Sequence, residues 1–183
     1  MYIPLYTWKK RLKTHNKYTS LFRGNYCARS LYVDHPDREK LIQESFAKVA
    51  PIADKAAEIF YAKLFEYDPE LRPLFKSDLK QQGKKLMATL GVAVQGLDDL
   101  EKLVPVLEAL AKRHIEYGVS VDDYTPVGNA LIYTLKAGLG DDFDERTRDA
   151  WVKIYRTIAE VMRSAAYDDF DSASYTNTKT YPK

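Results

Sequence analysis

Hydrophobic and polar positions along most of this chain follow the 3.6-residue period of an α-helix. Between about residues 37 and 166, apolar residues recur three and four positions apart, and no stretch of useful length alternates with a period of two. The first pattern gives a helix one apolar face, whereas the second would indicate a half-buried strand. The sequence therefore predicts an all-α domain.

Proline, glycine and acidic residues divide this region into separate helices. Proline disfavours a helical conformation in the residue before it, and an aspartate at a helix start can cap the free N–H groups. The predicted helices cover residues 35–50, 51–67, 78–95, 103–117, 123–139 and 144–166, with a turn-like segment at 70–75 and with Asp78, Asp122 or Asp123, and Asp144 as caps. Pro51 is placed in the first turn of the second helix, where its missing N–H costs nothing.

Charge is distributed unevenly along the chain. The 183 residues carry a formal net charge of +2, but the first 33 contain seven basic residues and no acidic one, which leaves residues 34–183 with a net charge of −5. We therefore predict a basic, tyrosine-rich N-terminal extension at 1–33, a globular domain at 34–167 and a short polar C-terminal tail at 168–183.

The extension has several interpretations. Its acid-free composition is typical of an organelle transit peptide, of an arm that contacts anionic lipid, or of a tail that only adds solubility. We expect a cytoplasmic protein, with organellar targeting as the alternative in a eukaryote. A membrane contact of the extension stays open, no nucleic-acid partner is expected, and the protein is predicted to be a monomer or a small homo-oligomer.

Composition also excludes some kinds of site. Cys27 is the only cysteine, so neither an internal disulfide nor a cysteine-based metal site can form. No apolar run is long enough to span a bilayer. The chain contains no glycine-rich phosphate loop and no Ser/His/Asp constellation, and we assign no catalytic residue.

A histidine interrupts the apolar stripe of the fourth long helix. Leu103, Leu107, Leu110 and His114 are spaced four, three and four residues apart, which places them on one helical face. The common explanation is a buried histidine whose two nitrogens have protein partners. The alternative is an imidazole that binds a metal or a cofactor iron.

Two further polar residues interrupt apolar faces on other helices. Tyr61 lies next to Phe60 in the second helix, and Gln82 lies on the stripe of the third. Burying each polar group without a partner would cost roughly 1–3 kcal/mol, so three such positions suggest a shared polar feature. No second histidine follows Pro36, which excludes a multi-histidine zinc site. Haem suits a single imidazole because the porphyrin supplies four further nitrogens.

The order and spacing of these residues resemble the globins. The likeness is to bacterial single-domain globins related to the globin part of flavohaemoglobins, more distantly to neuroglobin, and it covers residues 37–166. It is carried by residues 60–65, Leu74 and Phe75, residues 82–87, 113–119 and 124–128, and Trp151. The resemblance implies a globin fold in which helices pack around a haem pocket.

The resemblance also implies roles for individual residues. His114 would be the proximal ligand of a haem b iron, and Tyr61 and Gln82 would be the distal pair. The implied pocket residues are Phe60, Tyr61, Phe75, Gln82, Lys85, Leu86, Arg113, His114, Val119 and Tyr124. Of these, Phe75, Leu86 and Val119 would contact the porphyrin, and Lys85 and Arg113 could reach its propionates.

The distal pair has a chemical consequence. Bound dioxygen carries partial negative charge, and a phenol O–H and an amide N–H can both donate a hydrogen bond to it. Two donors should slow the release of dioxygen and affect carbon monoxide less. Without a distal histidine, a bis-histidyl iron is not expected.

The proximal side departs from the flavohaemoglobin pattern. There the proximal histidine belongs to a tyrosine–glutamate network that makes the imidazole more electron-donating. Tyr124 matches the tyrosine, but the glutamate position falls on Ala166. We therefore expect a weaker electron push. Since only a short tail follows the globin region, we also expect any turnover to need an external reductase.

Two functional hypotheses follow. The first is a haem protein that binds dioxygen, nitric oxide and carbon monoxide reversibly, for oxygen storage or transport. It would act as an enzyme only if nitric oxide dioxygenation, with an external reductase, takes place at the same site. The second is a gas or redox sensor that signals through the extension at 1–33.

Overall fold

The computed structural model describes residues 36–179 of the chain. Within this part there are six α-helices and no strand, which confirms the prediction of an all-α domain. The helices are α1 (Pro36–Val49), α2 (Ala53–Tyr67), α3 (Leu79–Gln95), α4 (Leu100–Glu116), α5 (Tyr124–Leu139) and α6 (Glu145–Ala166). Short 3₁₀ turns lie at Ala50–Ile52, Pro69–Leu74, Gly96–Asp99 and Gly140–Asp142.

Aspartates begin several of these helices. The carboxylate of Asp78 accepts a hydrogen bond from the backbone N–H of Lys80, and Asp144 accepts one from Thr147. These two predicted caps are confirmed. At α5, Asp123 occupies the N-cap position without a side-chain cap bond, so the capping role predicted there is wrong for this residue.

The start of α2 also differs from the prediction. Pro51 lies in a separate 3₁₀ turn and α2 begins two residues later. Since proline has no N–H, it cannot continue the hydrogen bonds of α1, and the chain makes one tighter turn before the next helix. This turn leaves Ile52, which the periodicity placed inside, 41% exposed.

Packing divides the helices into two groups. α2 packs on α3 and α5, and α4 packs on α6, while contacts between α5 and α6 join the groups. Among the described helices, consecutive α3 and α4 are not closely packed on each other, although Gly96–Asp99 connects them directly. We call the region between these two helices, which few close contacts bridge, the crevice.

The buried side chains form two clusters, and α6 contributes to both. The first surrounds Leu64, Leu135 and Trp151 and includes half-buried residues of α3. The second surrounds Leu107 and Met162, from α4 and α6. The crevice between α3 and α4 thus has a different apolar cluster behind each wall.

The predicted tail contacts the domain as far as it is described. The ammonium of Lys179 lies 2.7 Å from carboxylate oxygens of both Asp68 and Asp123. The domain boundaries at 34, 167 and 168 stay predictions, and the extension at 1–33 lies outside the described residues. Within the described part, no helix combines the length and apolar character that a membrane span requires.

Candidate functional site

His114 lies in the last turn of α4, where the buried stripe of that helix becomes half-exposed. Leu103 and Leu107 are buried, whereas Leu110 and His114 are half-buried. Nδ1 of His114 is 2.9 Å from the carbonyl oxygen of Leu110. A carbonyl only accepts, so Nδ1 carries the hydrogen and Nε2 keeps a lone pair for a metal. Burial lowers the pKa of His114, which favours the neutral imidazole that such ligation needs.

Two tyrosine rings accompany this imidazole. The ring of Tyr124, the first residue of α5, stacks on it with centroids 6.2 Å apart and planes inclined by 22°. Tyr117 lies at the same centroid distance with a tilt of 49°. The Tyr124 hydroxyl is buried, and this burial raises its pKa. The phenol therefore stays protonated behind the histidine.

Tyr61 lies in an aromatic cluster formed by α2 and the segment between α2 and α3. Its ring centroid is 5.2 Å from those of Phe60 and Phe75 and 5.9 Å from that of Phe65. The side chain is buried, and desolvation raises the pKa of Tyr61 to about 12. The hydroxyl therefore stays a hydrogen-bond donor throughout the neutral pH range.

The side-chain amide of Gln82 is hydrogen-bonded to a residue other than Tyr61. The amide nitrogen of Gln82 donates to the hydroxyl oxygen of Ser77 at 2.5 Å. Its donor group is thus engaged at the start of α3 rather than at the phenol. The distal role of Gln82 stays a prediction.

Several apolar side chains of α3, and one just after α4, are only half-buried. On α3, Leu79, Leu86 and Leu90 are half-buried although they form the stripe that periodicity assigned to the core. Val119, just after α4, is also half-buried. Lys85 and Arg113, one on each helix, are exposed. An apolar group with an anionic edge would complete such a surface.

The turn after α4 contacts the segment between α2 and α3. A Cβ atom at Gly118 would lie 3.5 Å from Cδ2 of Leu74, next to Phe75 of the aromatic cluster. Gly118 has φ = +86°, a conformation that side chains other than glycine disfavour. This turn brings the chain after His114 against the segment that carries Phe75.

These features fit a haem. The neutral imidazole offers one ligand nitrogen, the leucines offer apolar contact, and the exposed cations suit two propionates. The roles of the individual residues stay predictions.

Sequence reasoning missed two residues near His114. The guanidinium of Arg163 lies 5.2 Å from the ring centroid of Tyr124, and the hydroxyl of Tyr155 donates to the Tyr124 carbonyl. Both come from α6, more than 30 residues away in the chain. Helical periodicity reports only on neighbours within one helix, so it gave no signal for either contact.

An all-α fold with a half-buried histidine at the end of α4 is what a helical haem-binding protein requires. The globin family profile matches residues 58–162, more than half of the chain. The chain belongs to the globin family, whose members bind haem and, through it, diatomic gases. The predicted globin fold is thereby confirmed.

Flavohemoproteins are among the relatives of this chain. Those of Bordetella parapertussis and Bordetella bronchiseptica are each 27% identical over 130 residues, which cover 69% of this chain and 32% of the relative. That of Halalkalibacterium halodurans is 24% identical over 141 residues, covering 75% of this chain and 34% of the relative. This chain therefore spans about a third of the length of these relatives.

Proposed function

We propose that this globin binds dioxygen, nitric oxide and carbon monoxide reversibly at a haem b held by His114. The observation that carries the proposal is the hydrogen bond from Nδ1 of His114 to Leu110, which leaves Nε2 as the ligand atom. When bound, the haem supplies an iron with a coordination position for a gas. A pyridine haemochrome spectrum of the purified protein tests the haem type.

Residues of the chain have separate tasks in this proposal. Leu110 orients the imidazole of His114 and keeps it in one tautomer. Tyr61 donates a hydrogen bond from a phenol that burial keeps protonated. The aromatic cluster that contains Phe75 excludes water from this side, which strengthens that bond.

The proximal assignment is tested by His114→Ala. We expect the variant to lose the iron–histidine stretching band in the resonance Raman spectrum of the ferrous protein. The matched control is Glu116→Ala, an exposed residue in the same turn of α4. Retention of the band in His114→Ala would show that another residue is the ligand.

We propose nitric oxide dioxygenation as a second activity of the same site. Its support is the likeness to proteins named flavohemoprotein, a name that pairs a flavin with a haem. In this reaction nitric oxide and dioxygen combine with one electron to give nitrate. An external reductase would deliver that electron to the globin.

Nitrate yield distinguishes the two activities. Protein first reduced to the ferrous state, with dioxygen, nitric oxide, NADH and an added flavin reductase, should form nitrate over many turnovers. Without the reductase, nitrate should stop at one equivalent per haem. Single-turnover yield in both mixtures would support gas binding without multiple turnover and would contradict the enzymatic proposal.

A further inference from the structure

Arg163 lies among three aromatic rings near the C-terminal end of α6. Its guanidinium carbon is 4.5 Å from the ring centroid of Tyr175, 5.2 Å from that of Tyr124 and 5.9 Å from that of Phe170. A guanidinium over aromatic faces is stabilised by attraction to the ring quadrupoles. Tyr124 therefore has a fixed cation close to its ring.

Hydrogen bonds hold this cation in one orientation. Nε of Arg163 donates to the carbonyl of Val121 at 2.9 Å, and a terminal nitrogen lies 3.4 Å from both the Thr125 and Tyr175 hydroxyls. Val121 belongs to the loop between α4 and α5. Arg163 thus connects α6 to the loop that follows the proximal histidine.

The chain after α6 keeps this arrangement in place. We call residues 167–179 the C-terminal strap. Its Tyr175 hydroxyl donates to Asp122 at 2.7 Å, and its Lys179 ammonium bridges Asp68 and Asp123. All three carboxylates belong to buried residues, so the strap supplies hydrogen bonds and one cation to groups that burial alone would destabilise.

Tyr124 links this cluster to the proximal site. The same ring that lies beside Arg163 stacks on the imidazole of His114. We propose that Arg163 is a positioning residue for the proximal imidazole, acting through the Tyr124 ring, and that the C-terminal strap holds Arg163 in place. The proposal rests on the proposed function, in which His114 is the axial ligand.

The charge of Arg163 predicts the sign of a change in the midpoint potential. The cluster contains the cations of Arg163 and Lys179 and the carboxylates of Asp68, Asp122 and Asp123. Replacing the arginine with a neutral residue makes the proximal side more negative by one charge. Added negative charge favours the ferric over the ferrous state, so the midpoint potential should fall.

Three variants of the full-length haem-loaded protein test the proposal. Arg163→Gln removes charge and stacking, and Arg163→Lys keeps the charge but removes the planar group. Arg148→Gln is the control, because it removes the same charge from the same helix at an exposed side chain paired with Asp149. The readouts are the iron–histidine stretching band and the ferric/ferrous midpoint potential.

We expect Arg163→Gln to shift the stretching band and to lower the midpoint potential relative to Arg148→Gln. Arg163→Lys should shift the band while its potential returns towards that of the wild type. If Arg163→Gln does not fold, the band of Arg163→Lys decides the question, and an unshifted band overturns the proposal. Band and potential equal to the control in both arginine variants would also overturn it.

These outcomes are separate from the test of the proposed function. If the wild-type protein showed no iron–histidine band, His114 ligation itself would be wrong. If the iron–histidine band is present but unaffected by substitutions of Arg163, ligation by His114 is supported and only the positioning role of Arg163 is wrong.

Discussion

At the scale of the single residue, burial determines what Tyr61 can do. Only 6% of its surface is exposed, and the pKa of its phenol is raised to about 12. Ionisation in this apolar cluster would place a charge where little water can solvate it. Tyr61 is therefore suited to donate a hydrogen bond to a polar ligand.

Tyr61→Phe should speed the dissociation of dioxygen. The variant keeps the ring among its aromatic neighbours but removes the donor, which is worth roughly 1–2 kcal/mol, or about 5- to 30-fold in rate. Stopped-flow displacement of dioxygen by carbon monoxide measures the rate. Tyr133→Phe, an exposed tyrosine of α5, is the control. Equal rates in the two variants would remove the phenol from ligand stabilisation.

The same phenol should make stability depend on pH in the alkaline range. An unfolded chain loses the Tyr61 proton near pH 10, whereas the folded protein keeps it to about pH 12. Above pH 10 the unfolded state binds fewer protons, so this group lowers the free energy of unfolding as the pH rises towards 12. Urea unfolding at pH 9 and 11 should show a smaller loss for Tyr61→Phe than for the wild type. An equal loss would contradict the raised pKa.

Single residues also show which parts of the site a sequence can predict. His114 was identifiable because a polar residue on an apolar stripe is visible within one helix. Arg163 has no such signal, because its proposed role depends on a contact with Tyr124, which is distant in the chain. For Gln82 the sequence predicts a donor, but the direction of its amide depends on Ser77 and cannot be read from spacing.

At the scale of the helix, one close contact between α2 and α3 sets the distance between these two helices. A Cβ atom added at Gly83 would lie 2.6 Å from Cβ of Ala57. Two helix backbones approach this closely only where the facing residues are small. Since Tyr61 is on α2 and Leu86 on α3, this contact sets the separation of two predicted pocket residues.

Gly83→Ala should therefore destabilise the protein. The new methyl group forces the helices apart, which costs about 1–3 kcal/mol and exceeds the gain from replacing glycine in a helix. Gly91→Ala on the same helix is the matched control, because its Cβ would meet Phe46 at an ordinary 3.5 Å. Urea unfolding compares the two, and a Gly83→Ala variant as stable as Gly91→Ala would show that the helices are not in contact there.

Helix-scale features were the most predictable part of the fold. Local signals placed the six helices, and the caps at Asp78 and Asp144 follow directly from residue type. At Asp123 the same reasoning failed, because its carboxylate accepts hydrogen bonds from Ser120 and Lys179. Tertiary partners can redirect a carboxylate that local sequence assigns to a helix start.

At the scale of the whole molecule, the C-terminal strap connects regions that no local pattern relates. Lys179 joins the segment after α2 to the start of α5. The composition of residues 168–183 predicts only a polar tail. The contacts arise because buried carboxylates need partners, wherever in the sequence those partners lie.

Lys179→Met should destabilise the protein far more than its position near the C-terminus suggests. The substitution leaves the Asp68 and Asp123 side chains, 7% and 6% exposed, without their shared cation, at a cost of about 2–4 kcal/mol. Thermal unfolding measures the change. Lys55→Met is the matched control, because Lys55 and its partner Glu58 are both 70% exposed and such a pair contributes little. Adding Asp68→Asn to Lys179→Met should recover part of the lost stability, since it removes one unpaired buried charge. If Lys179→Met melted like Lys55→Met, the strap would be a surface contact that stabilises nothing.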